Sequence, residues 1–134
     1  MKKNKYKKYK HCLILIAHGS KELQWRRPFE RLIGKLKREL PGDYISIAYI
    51  ESLKPSLSEV MKNLSNKKSA NYIKLLPLFM AAGSHINRDI KELVSRARKK
   101  SPKLKIEVLP PIGEHPKISS VICEIIKGYL NHVS

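Results

Sequence analysis

The stretch CLILIAHGS, residues 12–20, begins with six apolar residues and continues directly into a histidine, a glycine and a serine. Unbroken apolar runs of this length are typical of strands that are covered on both faces of a parallel sheet. A second stretch, LFMAAGSH at residues 78–85, follows another apolar run and again ends on a histidine near glycine. Because parallel α/β sheets form ligand sites at the carboxyl ends of their strands, we predict such a site at His18 and His85.

Apolar runs and helical stripes alternate four times along the chain, which predicts an α/β fold with a four-stranded parallel sheet and helices on both faces. The runs at 12–17 and 72–79 are the most uniformly apolar and are placed in the centre. The half-polar run at 104–109 is typical of an edge strand, and the run at 44–51 takes the other edge. The predicted strand order is therefore 2-1-3-4, with the switch in order between the strands that precede His18 and His85. Helices are predicted at about 22–40, 57–67, 86–100 and 117–131.

Three local signals refine these elements. Ser56 and Glu59 form a capping box at the start of the second helix. Pro77 has no amide donor and is expected near the end of its strand. The last helix carries an apolar stripe, expected from its spacing at Ile118, Val121, Ile122, Ile125, Ile126 and Tyr129.

Length and charge define the domain and its partners. We expect one domain at residues 12–134, preceded by a basic disordered tail at 1–11, in a chain of net charge +17. This charge attracts polyanions, but no nucleic-acid-binding motif is present, so nucleic acid is not the expected partner. No apolar segment is long enough for a membrane-spanning helix. Cys12 and Cys123 are expected to be buried free thiols in a cytoplasmic protein.

The candidate site combines the two histidines with Glu51, which ends the strand predicted beside the first one. Two imidazoles and a carboxylate suit a divalent metal such as Co, Ni, Fe or Zn, with coordination positions left open. Each of the three residues alone also fits an ordinary polar loop. His115 either faces this cleft or has a structural role, and Asp89, in the predicted first turn of its helix, either stabilises the helix terminus or orients His85.

The chain contains no G-x-S-x-G elbow, P-loop or G-x-G-x-x-G motif. It resembles instead the class II tetrapyrrole chelatases, specifically the short, single-domain sirohydrochlorin cobaltochelatase type, over about residues 12–131. The matching stretches occur in family order and spacing: LIAHGS at 15–20, AYIE at 48–51, PSL at 55–57, PLFMAAGSH at 77–85, DI at 89–90 and PPIGEHP at 110–116.

The resemblance implies insertion of Co²⁺, or in relatives Ni²⁺ or Fe²⁺, into sirohydrochlorin or a related precorrin, with no nucleotide. It makes His18 and His85 the paired metal-binding and catalytic residues, with Glu51 beside them. A lone domain of this type resembles half of the longer two-domain chelatases, which implies a homodimer. Since sirohydrochlorin bears many carboxylates, a basic rim would hold it, and Lys21, Arg26, Arg27 and Arg88 are near enough in sequence to contribute. The expected substrate contacts flank the two histidines: Ser20, Lys21, Gly83, Ser84 and Arg88.

Two other function classes remain open from the sequence. One is a non-catalytic metal or tetrapyrrole carrier that uses the same His/His/Glu cleft. The other is a nucleic-acid-associated protein that exploits the net charge. Metal-dependent turnover of sirohydrochlorin separates the chelatase from the carrier.

Overall fold

A computed structural model describes residues 9, 11–19, 22–50, 54–66, 71–81 and 83–131. Its four strands pair in parallel in the order β2-β1-β3-β4, which confirms the predicted sheet. Across these ranges, no helix has the length and apolar character needed to span a membrane. The elements are β1 (Cys12–Ala17), α1 (Leu23–Glu39), β2 (Tyr44–Tyr49), α2 (Leu57–Asn66), β3 (Tyr72–Pro77), α3 (Ser84–Lys100), β4 (Lys105–Val108), a 3-10 turn (Ile112–Glu114) and α4 (Pro116–Leu130).

The central position of β1 follows from its sequence. Ile14 and Ile16 are fully buried because strands pair on both sides and helices cover both faces. Pro77 is the last residue of β3, as expected for a residue without an amide donor. The next amide, that of Leu78, donates to the carbonyl of Ile16 at 2.8 Å and continues the pairing up to the carboxyl edge.

The helices divide between the two faces of the sheet. One face packs against α2 and α3, where Leu57 and Ile90 are almost completely buried. The other face packs against α1 through a smaller cluster of Leu15, Ile33 and Ile45. The capping box is confirmed at its first bond, since the Glu59 amide donates to Ser56 Oγ at 3.2 Å.

The last helix departs from the expected packing. None of the residues of α4 is buried, and its main contacts are with the 3-10 turn rather than with the sheet. Its apolar stripe is therefore open, with Ile125 53% exposed and Ile126 51% exposed. The prediction that Cys123 is buried was wrong for the same reason, because none of the described elements covers α4 at that position. Cys12 is a buried free thiol, as expected.

Contacts with the sheet begin before residue 12. The Tyr9 ring is half-buried and lies edge-on to Tyr44, with 5.1 Å between ring centroids. His11 Nδ1 lies 3.0 Å from a carboxylate oxygen of Asp43, and the His11 carbonyl accepts from the Tyr44 amide at 2.8 Å. Two residues that the sequence assigned to the tail thus contribute to the fold. The remaining tail residues, 1–8 and 10, lie outside the described residues.

Candidate functional site

The carboxyl edge of the sheet positions His18. The residue follows Ala17, whose carbonyl accepts from the Ile50 amide at 3.1 Å, so the pairing of β1 and β2 extends to this point. Gly19 has a φ of 102°, a conformation that side-chain-bearing residues rarely adopt. The chain therefore leaves the strand through a conformation that favours glycine, and the His18 side chain just before it is exposed.

His85 reaches the same edge from the neighbouring strand β3. Gly83 precedes α3 in an extended conformation, and its carbonyl accepts from the Asn87 amide at 3.1 Å. The helix consequently begins at Ser84, two residues before the predicted start, because Gly83 takes the cap position. His85 thus lies in the first turn of α3, where it is exposed.

The expected substrate contacts are only partly described. Gly83, Ser84 and Arg88 lie beside His85 at the start of α3, and all three are exposed. Glu51, Ser20 and Lys21 fall outside the described residues. An open groove of about 510 Å³ runs along the helix and is lined by Ser84, Asn87, Arg88, Lys91, Glu92 and Ser95.

No cluster of three or more His, Cys, Asp or Glu side chains suited to a metal occurs among the residues described. Glu51 is not one of them, and its role as the third ligand stays a prediction. The two histidines supply exposed imidazoles after adjacent strands, and imidazole nitrogen is a good ligand for Co²⁺, Ni²⁺ and Fe²⁺.

His115 has a structural partner. It is the N-cap residue of α4, and its Nδ1 accepts from the Lys117 amide at 3.1 Å. This bond supports the structural alternative for His115. Asp89 lies in the second turn of α3 and not in the first, because the helix starts earlier than predicted. The prediction that Asp89 lies in the first turn, at the helix terminus, was therefore wrong. Asp89 does follow His85 by about one helical turn, so the two residues lie on the same side of α3.

One structural contact at this edge was not singled out from the sequence. The 3-10 turn after β4 packs against the loop between β3 and α3, where the Gly113 amide donates to the Phe79 carbonyl at 2.9 Å. The sequence feature that could have indicated this contact is the glycine within the turn-rich stretch PPIGEHP, since glycine allows two backbones to approach closely. The contact connects the turn before α4 to the loop that leads to His85.

A buried tyrosine and an arginine lie near the end of β2. Tyr49 is 4% exposed and pairs with Ala17, directly before His18. Burial raises the pKa of Tyr49, nearby Glu30 raises it further, and nearby Arg26 lowers it. Both charged groups therefore act on Tyr49 from α1, and Arg26 brings a positive charge to this end of the sheet.

The chain is similar to known tetrapyrrole-processing proteins. The CbiX family model matches residues 12–128. A protein named sirohydrochlorin cobaltochelatase from Sulfolobus acidocaldarius is 33% identical over 112 residues, which cover 84% of this chain and 86% of that relative. A relative of the same name from Saccharolobus solfataricus is 30% identical over 128 residues, with 89% and 95% covered.

Solved structures show the same architecture. A crystal structure of a CbiX protein of cobalamin biosynthesis from Marinobacter aquaeolei VT8 superposes with a TM-score of 0.76 at 30% identity, covering 91% of this chain and 98% of that one. The sirohydrochlorin chelatase SirB from Bacillus subtilis subspecies spizizenii, solved in complex with cobalt, superposes with a TM-score of 0.73 at 21% identity. That match covers 88% of this chain and 50% of SirB, and it shows a shared fold.

Proposed function

The chain belongs to the CbiX family, and from that premise we propose that it is a lyase of the sirohydrochlorin cobaltochelatase type. It inserts a divalent metal ion into sirohydrochlorin or a related precorrin, without a nucleotide. Co²⁺ is the proposed metal substrate, with Ni²⁺ or Fe²⁺ as alternatives. The observation that carries this proposal is the family match over residues 12–128, which includes both histidines, Glu51 and the loops around them.

The proposed chemistry uses the histidines as metal ligands and proton acceptors. Insertion removes two pyrrole N–H protons from the macrocycle while the metal exchanges bound water for ring nitrogens. Imidazole nitrogens of His18 and His85 hold the metal first. Once the metal passes to the ring nitrogens, the freed imidazole nitrogens accept the two pyrrole protons and release them to water. The Glu51 carboxylate relays protons or partly neutralises charge. The exposure of both histidines supports this assignment, since a macrocycle needs open access to the bound metal.

Multiple turnover tests this function. Sirohydrochlorin and Co²⁺ should form the metallated product faster with the protein than without it, over many cycles and with no nucleotide added. Glu51→Gln should slow turnover more than it weakens Co²⁺ binding if the carboxylate acts in proton removal. A single stoichiometric burst with Co²⁺, Ni²⁺ and Fe²⁺ would contradict catalysis and favour the carrier.

We also propose a homodimer in which α4 of each copy covers apolar surface of the other. Two exposed apolar surfaces support this proposal. The first is the open stripe of α4, and the second lies on α1, where Trp25 is 65% exposed and Leu32 is 39% exposed. The sheet face beside α1 adds two half-buried residues, Leu76 and Leu78. A second copy would remove both apolar surfaces from water in one self-complementary interface.

Sedimentation or light scattering tests the dimer. Ile125→Glu places a charge in the α4 stripe and should produce a monomer that still folds, since α4 contributes no buried residue to the core. Ser120→Glu, on the opposite side of α4, is the matched control and should leave the mass unchanged. A monomeric parent protein, or a dimer that survives Ile125→Glu, would contradict this arrangement.

The proposed location is the cytoplasm. Both cysteines are free thiols, as expected in a reducing compartment.

A further inference from the structure

Arg26 occupies a position on α1 where an apolar residue would be expected. It precedes the buried Ile33 by seven residues, which is close to two full helical turns, so the two residues share one face of the helix. That face packs against the sheet. The Arg26 Nε atom is buried and has no hydrogen-bond partner among the described residues.

An unpaired buried donor destabilises the folded chain, because its bond to water is lost and not replaced. Methionine or leucine at this position would avoid that cost. Arg26 therefore opposes folding slightly, and such local conflicts are typical of functional positions.

The location of Arg26 connects it to the candidate site. Its charge acts on Tyr49, the last residue of β2, and Tyr49 pairs with Ala17 immediately before His18. Glu30, one turn further along α1, acts on the same tyrosine. Arg26 also lies in the first turn of α1, which begins at Leu23, five residues after His18. Arg26 thus belongs to the carboxyl edge of the sheet, the edge that carries His18.

We infer that Arg26 is a substrate-binding residue whose guanidinium donates hydrogen bonds to a carboxylate of the tetrapyrrole. This inference rests on the proposed function. The planar guanidinium matches a carboxylate with two parallel N–H donors, and a partly desolvated pair of this kind is strong. The bound carboxylate supplies acceptors for the Arg26 donors, at an edge of the sheet where the macrocycle also reaches the metal.

The test compares substrate binding, metal binding and stability in Arg26→Met. Titration of metal-free sirohydrochlorin, followed by its absorbance or fluorescence, should show a Kd weakened by about tenfold or more, as expected for loss of a charge-assisted pair. Co²⁺ binding by equilibrium dialysis should be unchanged. Tm should stay the same or rise, because an apolar side chain replaces the unpaired donor. Arg26→Lys, which keeps the charge but not the planar group, should recover part of the affinity.

Arg31→Met is the matched control, since Arg31 is exposed on the opposite side of α1 and its loss removes the same charge. It should change the Kd by less than about twofold, the residual effect of one screened surface charge. Equal weakening in the two methionine variants would show a general charge effect and overturn the inference, as would parent-like binding by Arg26→Met. A lowered Tm with parent-like affinity would identify a structural arginine.

Failure of the proposed function is measured separately, by turnover of the parent protein. A parent that binds sirohydrochlorin through Arg26 without converting it would contradict catalysis and leave the Arg26 assignment intact. A parent with no affinity for sirohydrochlorin would overturn both.

Discussion

A Cβ atom on Gly113 would lie 2.2 Å from both the Cα atom and the carbonyl oxygen of Met80. Only glycine permits this approach, because no side-chain atom can occupy that space. The Gly113 amide also donates to the neighbouring Phe79 carbonyl at 2.9 Å. The 3-10 turn after β4 thus packs directly against the loop that leads to α3. Because that loop precedes His85, the position of the turn and the position of His85 are coupled.

Gly113→Ala should separate the two segments and move the loop before His85. The obstacle is backbone and cannot rotate away, so we expect a loss of unfolding free energy of about 1–3 kcal/mol, as for other overpacked sites. Co²⁺ binding should weaken in the fraction that remains folded. Urea unfolding and Co²⁺ titration measure the two effects. Gly42→Ala is the control, since nothing lies within 4 Å of a Cβ atom there; parent-like behaviour of Gly113→Ala would show that the contact can relax freely.

His18→Ala and His85→Ala should each weaken Co²⁺ binding by at least about tenfold, the usual effect of losing a coordinating group or its support. Both side chains are exposed, so Tm should change little. If they share one ion, the double variant should bind hardly more weakly than either single variant, because the effects of joint ligands do not add. His132→Ala, outside the family match, is the control. Parent-like affinity in both single variants would place the metal elsewhere, and fully additive losses would show that the two histidines act independently and do not share one ion.

The basic N-terminal segment should be dispensable for folding and catalysis up to residue 8, whereas Tyr9 should contribute to stability. Deleting residues 1–8 should leave Tm and kcat unchanged and raise the KM for a polyanionic substrate modestly, through lost electrostatic steering. Tyr9→Ala should instead lower the unfolding free energy by about 1 kcal/mol, because it removes the edge-on contact with Tyr44. Thermal unfolding of the two variants distinguishes these effects, and a marked loss of Tm on deletion would assign the segment a structural role.

Cys12 should make stability depend on alkaline pH. Burial, and to a smaller extent the nearby Asp43 carboxylate, raise the pKa of its thiol from the ordinary value of 9.0 to about 11. Between these values the unfolded chain ionises first, so the free energy of unfolding should fall as the pH rises from 9 to 11 and be unaffected below 9. Cys12→Ala should lack this component.

Thiol labelling checks the same burial. In a Cys123→Ser background, a thiol reagent at pH 8 should react with Cys12 only after denaturant is added. Rapid reaction of the native protein would show that the amino-terminal end of β1 opens readily.

The strand order could be predicted because burial leaves a direct pattern in the residues. β1 is apolar at every position since it is covered on both faces, whereas β4 alternates because one of its faces is open to solvent, with Ile106 buried and Lys105 exposed. Pro77 and Ser56 then marked the boundaries of their elements through the backbone bonds that they can or cannot make. The start of α3 was missed by two residues, because Gly83 gives no side-chain signal for its role as a cap.

Periodicity therefore specified the sheet and the two strands that deliver His18 and His85, since it records which side of each element is apolar. It does not record what lies against that side. The stripe of α4 is as regular as that of α1, yet in the folded chain it is left open. The contact of Gly113 with Met80 and the buried Nε of Arg26 likewise arise between segments distant in sequence. Those features depend on how closely segments distant in sequence approach each other. Only the tertiary arrangement of the helices and loops decides these distances.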